Sequence, residues 1–188
     1  MGWLEARTGN EEMETERLII RRFKASDWMD MHEYLSNEAV VKYEPYEVFR
    51  EAQSKREAAN RARSREFWAV CLKATGKVIG NLYLHPEEYN TFEMGYVMHQ
   101  DYQGKGYATE AATRLFAFVF TVLRGHRIIA RCNPENIASW RVMEKLHMRR
   151  EGHHKKDVYF RLGEDSLPLW QDTYQYAILR KEWEAGEG

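Results

Sequence analysis

The run Tyr96-Val97-Met98-His99-Gln100-Asp101-Tyr102-Gln103-Gly104-Lys105-Gly106-Tyr107-Ala108-Thr109-Glu110-Ala111 has the pattern with the clearest chemical use. A strand-like segment leads to two glycines separated by one residue, and an apolar helical pattern starts at once. A helix beginning there leaves its first N–H groups unpaired at the positive end of its dipole, which suits an anion. Glycine lets a phosphate approach the main chain where a Cβ would stand in the way. A P-loop needs G-x-x-x-x-G-K-[ST], and Gly106 is followed by Tyr107-Ala108 instead. A dinucleotide fingerprint needs a third small residue where Thr109 stands, and it follows the first strand of its unit rather than a later one. What the loop spells is Q-x-x-G-x-A, from Gln103 to Ala108.

Other side chains could act on protons. Glu93 stands between Phe92 and Met94 and shares a strand face with Gly95 and Val97. A carboxylate in such surroundings can gain basicity through burial, although a strand's wet end would hold one equally well. Asn136 caps a helix that starts at Ile137. Ser139 lies on one helix face with Val142, Met143 and Leu146, which turns its hydroxyl inward; a second capping hydroxyl is the plainer alternative. Tyr174 and Tyr176 fit proton donation or core packing. Cys71 and Cys132 sit in apolar runs as small hydrophobes, and no Cys/His spacing suits a metal. His153 and His154 are strand neighbours facing opposite ways, which argues against a shared site.

These residues need a scaffold, and hydrophobic periodicity supplies its outline. Leu18 to Phe23 is a strand, and Ser26-Asp27 cap a helix carrying Trp28, Met31 and Tyr34. Glu44-Pro45-Tyr46 is a loop, and Val48 to Ser64 a charged, exposed helix. Phe67–Leu72 and Lys77–Leu84, joined at Thr75-Gly76, form a hairpin, and Phe92–Met98 alternates as a strand. Gly106 to Leu123 is a helix with two adjacent apolar stripes, so it is buried over a wide face. Arg127–Cys132 is a strand, Asn136–Leu146 a helix and Gln171–Leu179 an aromatic-rich strand. This order predicts an α/β single domain whose mixed sheet carries helices on both faces. Residues 1–12 are polar and aperiodic and read as a disordered extension, leaving the domain at 13–184.

The loop from Gln103 to Ala108 resembles the pyrophosphate-binding signature of the GNAT superfamily of N-acetyltransferases. Its flanks, Gly95 to His99 and Tyr107 to Ala111, are similar to the branch that holds the ribosomal-protein N-terminal acetyltransferases. Asn133-Pro134-Glu135-Asn136-Ile137-Ala138-Ser139 resembles that branch's N-x-x-N-x-x-S helix start, and the likeness runs on through Met143–Leu146, Asp172-Thr173-Tyr174 and Tyr176–Leu179. The resemblance implies the GNAT fold, with a mostly antiparallel sheet, and direct attack of an amine on acetyl-CoA in a ternary complex. It implies that Tyr96, Val97 and Met98 present main-chain groups to the pantetheine arm, an amide of Val97 or Met98 polarising the thioester carbonyl. Gln103, Gly104, Lys105, Gly106, Tyr107, Ala108 and Thr109 would hold the diphosphate, Asn136 the pantetheine, and Ser139 would sit near the sulfur as a candidate proton donor. Asp157 joins Glu93 as a base candidate, because relatives place an acidic residue on the strand after the serine-bearing helix. His147 departs from the family, which often has a left-handed glycine there. The acceptor expected from the branch is a protein N-terminus, with a small amine (polyamine, aminoglycoside or amino acid) as the alternative and a non-catalytic acyl-CoA-binding regulatory module third. A peptide calls for an open groove between Tyr43–Tyr46 and the final hairpin; a small amine calls for a closed, acidic pocket.

Composition excludes other classes. At 188 residues the chain fits one domain, and 44% hydrophobic with 30% charged residues is neither a disordered tail nor a membrane protein. Lys plus Arg (28) nearly match Asp plus Glu (29), so no overall field recruits nucleic acid. The N-terminus lacks a signal peptide's basic start, and Ala6 stands where myristoylation wants Ser or Thr. The longest apolar run, Leu115 to Leu123, is too short to cross a bilayer. These features predict a cytoplasmic monomer or homodimer with no metal, membrane or nucleic-acid partner.

Overall fold

The computed structural model describes residues 12–186. Its elements are, in chain order, β1 (Glu12–Glu14), β2 (Leu18–Arg22), α1 (Trp28–Leu35), α2 (Glu38–Val41), α3 (Glu51–Arg63), β3 (Phe67–Leu72) and β4 (Val78–Pro86). They continue with β5 (Thr91–Met98), α4 (Tyr107–Ala117), β6 (Arg127–Cys132), α5 (Ile137–Lys145), β7 (Arg149–Leu162), β8 (Pro168–Leu179) and α6 (Arg180–Gly186). The strands form one sheet in the order β1-β2-β3-β4-β5-β6-β8-β7. Every neighbouring pair is antiparallel except β5 and β6, which are parallel. The expected mixed, mostly antiparallel sheet is the one observed.

Alternation along the strands builds two cores. Phe92, Met94 and Met98 of β5 point to the face covered by α4 and α5, where Ala111, Leu115, Phe116 and Met143 meet them. Val97 points the other way, to a core with Met31, Tyr34 and Leu35 of α1 and Ala58 of α3. A bulge where Val70 pairs with Gly80 and Cys71 with Val78 leaves Ile79 as the extra residue. At Gly80 the backbones close in so far that a Cβ would stand 2.4 Å from the Val97 carbonyl oxygen, which only glycine permits.

Several expectations shift. Asp27 stands at the N-cap position of α1, but its side chain does not bond that helix; it closes the preceding 3-10 turn, accepting the Lys24 N–H at 2.8 Å and gripping Arg21 through both carboxylate oxygens. The helix expected to run to Leu123 ends as an α-helix at Ala117 and continues as a π turn over Phe118–Val122. A strand through His153, His154 and Asp157 was expected and is β7, but its length was not readable, because nearly all of its residues are exposed and show no alternation. Residues 1–11 of the expected extension lie outside the described residues; Glu12 belongs to β1, paired with Arg21, and Met13 is core. His147 does adopt the left-handed conformation, at φ 58°. The Met148 N–H closes back on the Met143 carbonyl at 3.0 Å, so α5 keeps its left-handed cap despite a side chain there.

Candidate active site

The ladder between β5 and β6 ends at Met94 opposite Ala130. From Gly95 to Met98, β5 pairs with β4 alone, so its other edge opens into a wedge between two diverging parallel strands. The direction of the amides follows from the antiparallel ladder. His99 donates its N–H to the Ile79 carbonyl at 2.8 Å, which makes Val97 opposite Asn81 the preceding hydrogen-bonded pair. Alternation then turns the Val97 amide toward β4 and the Tyr96 and Met98 amides toward the wedge. Of the two amides proposed from the sequence, Met98 faces the opening and Val97 does not.

The loop that follows is held from both ends. His99, buried, caps the turn at Gln100–Tyr102: its Nδ1 accepts the Asp101 N–H at 3.1 Å, while Nε2 lies 3.3 Å from Glu33. Gln103 donates its side-chain amide to the Met98 carbonyl at 3.0 Å, so this residue ties the loop to β5. Gly104 and Gly106 both have left-handed backbones, at φ 71° and 83°, and Gly106 is the N-cap of α4. On the far side Arg17 locks the first turn of α4. Its Nε donates to Glu110 at 2.6 Å, its Nη1 to the Lys105 carbonyl at 3.1 Å, and its guanidinium lies 4.2 Å over the Tyr107 ring. Thr15 adds a hydroxyl to Glu110 at 2.5 Å. Burial opposes the Glu110 charge, but the Thr15 and Arg17 hydrogen bonds outweigh it and hold the carboxyl below its usual range. The clamp left no sequence signal, because Thr15 and Arg17 lie some ninety residues from Glu110.

Across the wedge stands the start of α5. The Asn136 side chain accepts the Ser139 N–H at 3.2 Å, a regular N-cap. The Tyr96 hydroxyl donates to the Ser139 carbonyl at 2.6 Å, leaving its oxygen free to accept from the Ser139 hydroxyl 3.2 Å away. Burial raises the Tyr96 phenol above its ordinary range. It also pushes the Cys132 thiol up to about 11, against a hydrogen bond with Ser139, so the thiol stays protonated. Tyr96, Ser139 and Cys132 thus form one hydroxyl-and-thiol cluster at the wedge, and the Tyr96 side chain's part in it went unread in the sequence. Tyr176 is turned away: it is buried and donates to Glu144 at 3.2 Å. Tyr174 stacks edge-on with His153 at 4.8 Å.

The carboxylates are dispersed. Glu93 lies on the α1/α3 face within the paired part of β5, 3.5 Å from Arg131. Asp157 sits exposed in a bulge of β7, the edge strand, two strands removed from β6. A third carboxylate belongs to the segment after α2. Glu44 follows α2, and Tyr46 hydrogen-bonds it. Tyr46 packs with the Val97 core. The buried Arg61 donates to Asn81 at 2.9 Å and to Glu57 at 2.8 Å, and Tyr34 donates to the same Asn81 oxygen at 3.1 Å. Burial raises Glu44 to about 7, against the Arg61 charge and the Tyr46 hydrogen bond. The segment holding Glu44 is tied down on two sides. Tyr43 reaches the Glu135 carbonyl at 3.4 Å, and Arg161 of β7 donates to the Lys42 and Val41 carbonyls at 2.9 and 3.3 Å.

Residues 17–149 match the family model described as the acetyltransferase (GNAT) domain. The chain is 42% identical over 172 residues to the uncharacterized N-acetyltransferase YnaD of Bacillus subtilis (strain 168), covering 90% of this chain and 97% of that one. A GNAT-family acetyltransferase structure from Bacillus anthracis shares 38% identity at a TM-score of 0.84, covering 92% of this chain and all of that one (100%). A spermidine N-acetyltransferase from Vibrio cholerae, solved with CoA and spermine, matches at 19% identity and a TM-score of 0.74, over 90% of this chain and 99% of its own. The last is a likeness of fold.

Proposed function

The chain belongs to the GNAT acetyltransferase family, and from that premise we propose that it moves the acetyl group of acetyl-CoA to a small primary amine. The observation that carries this reading is the wedge where β5 leaves β6, bounded by the Gly104–Gly106 loop on one side and Ser139 on the other. An extended acyl chain with a diphosphate at one end suits such a slot: amides at the α4 N-terminus take the anion, and the unpaired edge of β5 takes the amide-bearing arm. Bound there, acetyl-CoA supplies an activated acyl group. On this reading the Met98 amide polarises a carbonyl in the wedge, and Tyr96 and Ser139 give a proton to a departing sulfur. Glu93, on the acceptor face, is the candidate to draw the proton from the amine, and Gly104 to Thr109 with Asn136 are the candidate coenzyme contacts.

The α1/α3 side bears on the acceptor class. The sequence resemblance puts a protein N-terminus first. The groove that a peptide would use is crossed by the Arg161 and Tyr43 contacts. That favours a small amine, with the peptide as second reading. Labelled acetyl-CoA offered with small amines and Ala- or Ser-initiated peptides tests both. Small amines should turn over at least about tenfold better in kcat/KM. Peptides ahead would restore the first expectation; coenzyme binding without turnover of any amine would leave the regulatory module.

A further inference from the structure

His99 is the residue at which β5 stops and the candidate coenzyme loop begins, and it is only 5% exposed. Both ring nitrogens are engaged. Nδ1 accepts the Asp101 N–H at 3.1 Å, so it carries no proton; the ring N–H is therefore at Nε2, 3.3 Å from the Glu33 carboxylate of α1. The opposite tautomer would set Nδ1–H against the Asp101 N–H, donor to donor, and uncap the turn. Glu33 is itself held in place. Lys77 reaches its two oxygens at 2.9 and 2.8 Å and bonds Asp30, one turn earlier on α1, at 2.9 Å. Asn37, just past α1, adds a hydrogen bond to Gln100 in the same turn. From the turn the fixation passes to the loop. The Tyr102 N–H closes on the His99 carbonyl at 2.9 Å and the Gln103 N–H on the Gln100 carbonyl at 3.2 Å. The Gln103 side chain returns to the Met98 carbonyl at 3.0 Å. His99, Tyr102 and Tyr107 form a row of rings, with centroids 5.4 and 6.2 Å apart, that ends under Arg17.

We propose that His99 and Glu33 act as a pair that positions the coenzyme loop. The carboxylate sets the tautomer and direction of the imidazole, and Nδ1 in turn fixes the turn from which Gln103 and the two glycines hang. His99 is a positioning residue, since it reaches the coenzyme only through the loop. The role presupposes that this loop is the acetyl-CoA site, as read above. An asparagine here could cap an N–H two residues ahead in the same way. What the buried imidazole adds is a second nitrogen that answers to α1. Glu33, on the opposite face of the sheet from α4, thereby governs coenzyme affinity through one ring.

Acetyl-CoA affinity by calorimetry, with steady-state kcat and KM, reads the pair in the full chain. His99→Phe keeps a ring beside Tyr102 and removes the acceptor. Affinity should fall at least about tenfold and KM for acetyl-CoA should rise, while kcat at saturation stays within about threefold. His99→Asn returns an acceptor to the Asp101 N–H and should recover affinity to within about threefold of the parent. Glu33→Ala should weaken the parent by at least about threefold yet add less than about twofold on top of His99→Asn, the non-additivity of residues that act through one contact. Parent-like affinity in His99→Phe, His99→Asn as weak as His99→Phe, or an equal Glu33→Ala effect in both backgrounds overturns the proposal. The cycle of Glu33→Ala and His99→Asn decides it even where ligand-free melts show that His99→Phe does not fold. Should the parent bind no acetyl-CoA, the reading of the loop fails, and amide hydrogen exchange decides the pair separately. An Asp101 amide protected in the parent and in His99→Asn but fast in Glu33→Ala supports the pair, and equal protection in all three refutes it.

Discussion

Two glycines shape the candidate cofactor loop, and they differ in what surrounds them. A Cβ on Gly104 would meet open space, whereas one on Gly106 would lie 3.4 Å from the Arg17 guanidinium that clamps the loop to Glu110. Both positions are left-handed, which costs a residue with a side chain about 1–2 kcal/mol. Gly106→Val combines that strain with β-branching and crowding of the clamp, so acetyl-CoA affinity should fall by at least about tenfold. Calorimetry that finds the parent's affinity would reduce the loop to a helix cap. Glu44 offers a test in stability rather than turnover. Its folded-state pKa is raised, so its favourable contribution is present below the ordinary carboxylate range and is lost as pH rises through about 7. Glu44→Gln should therefore raise the melting temperature at about pH 8 and do little at about pH 5. For the proton inventory, Glu93→Gln should lower kcat by about 10²–10⁴-fold with coenzyme affinity kept, and Asp157→Asn should be silent. The opposite order in steady-state rates would move the base to β7. The loop's backbone was legible because its left-handed angles demand glycine at fixed places. Glu44 was not, since its character comes from burial beside Tyr46 and Arg61, distant elements that no local pattern announces.

At the level of elements, periodicity read best where one face is buried. β6 was bounded from the sequence at the residues observed, because it is a short apolar run flanked by charge, and α5 within one residue, because Asn136 caps it. It read worst where tertiary contacts override it: β7 is exposed on most of its length, yet its pairing with β8 places Arg161 across the acceptor side. The wedge itself was invisible to pattern, since β5 and β6 each look like complete strands and only their register shows where they part. The cap of α5 gives this scale its prediction. His147 holds φ 58°, an angle that glycine adopts without the clash of a Cβ. His147→Gly should stabilise the protein by about 0.5–1 kcal/mol after the entropy that glycine adds to the unfolded chain is subtracted. Denaturant titration checks this, and a loss of stability would mean that the imidazole makes contacts worth more than the strain it imposes.

Across the whole molecule, the start of the described chain and the cofactor loop are one mechanical unit. Met13 is 3% exposed in the α4-side core, and Thr15 and Arg17 hold Glu110 in the first turn of α4. A chain beginning at Glu12 retains all of these contacts and should melt like the parent, as the reading of the preceding residues as an extension requires. A chain beginning at Glu16 loses β1, a buried methionine and the Thr15 hydroxyl. Losing the methionine alone should cost about 2–5 kcal/mol, the range for emptying a core position. The second consequence concerns ligand binding. A ligand that binds only the folded state stabilises it by about 2.7 kcal/mol at a hundredfold excess over Kd, so acetyl-CoA should raise the parent's melting temperature, and NAD or ATP much less. Without the Thr15 contact, Glu110 is held by Arg17 alone and the loop it anchors is less well ordered before the diphosphate arrives. The shorter chain should therefore gain less from the same acetyl-CoA concentration, beyond what its lower starting stability explains. Melts of both chains over an acetyl-CoA series separate the two effects: parallel curves would show that β1 serves the sheet alone, while a rightward shift of the shorter chain's midpoint concentration would show that the edge strand also tunes the cofactor site.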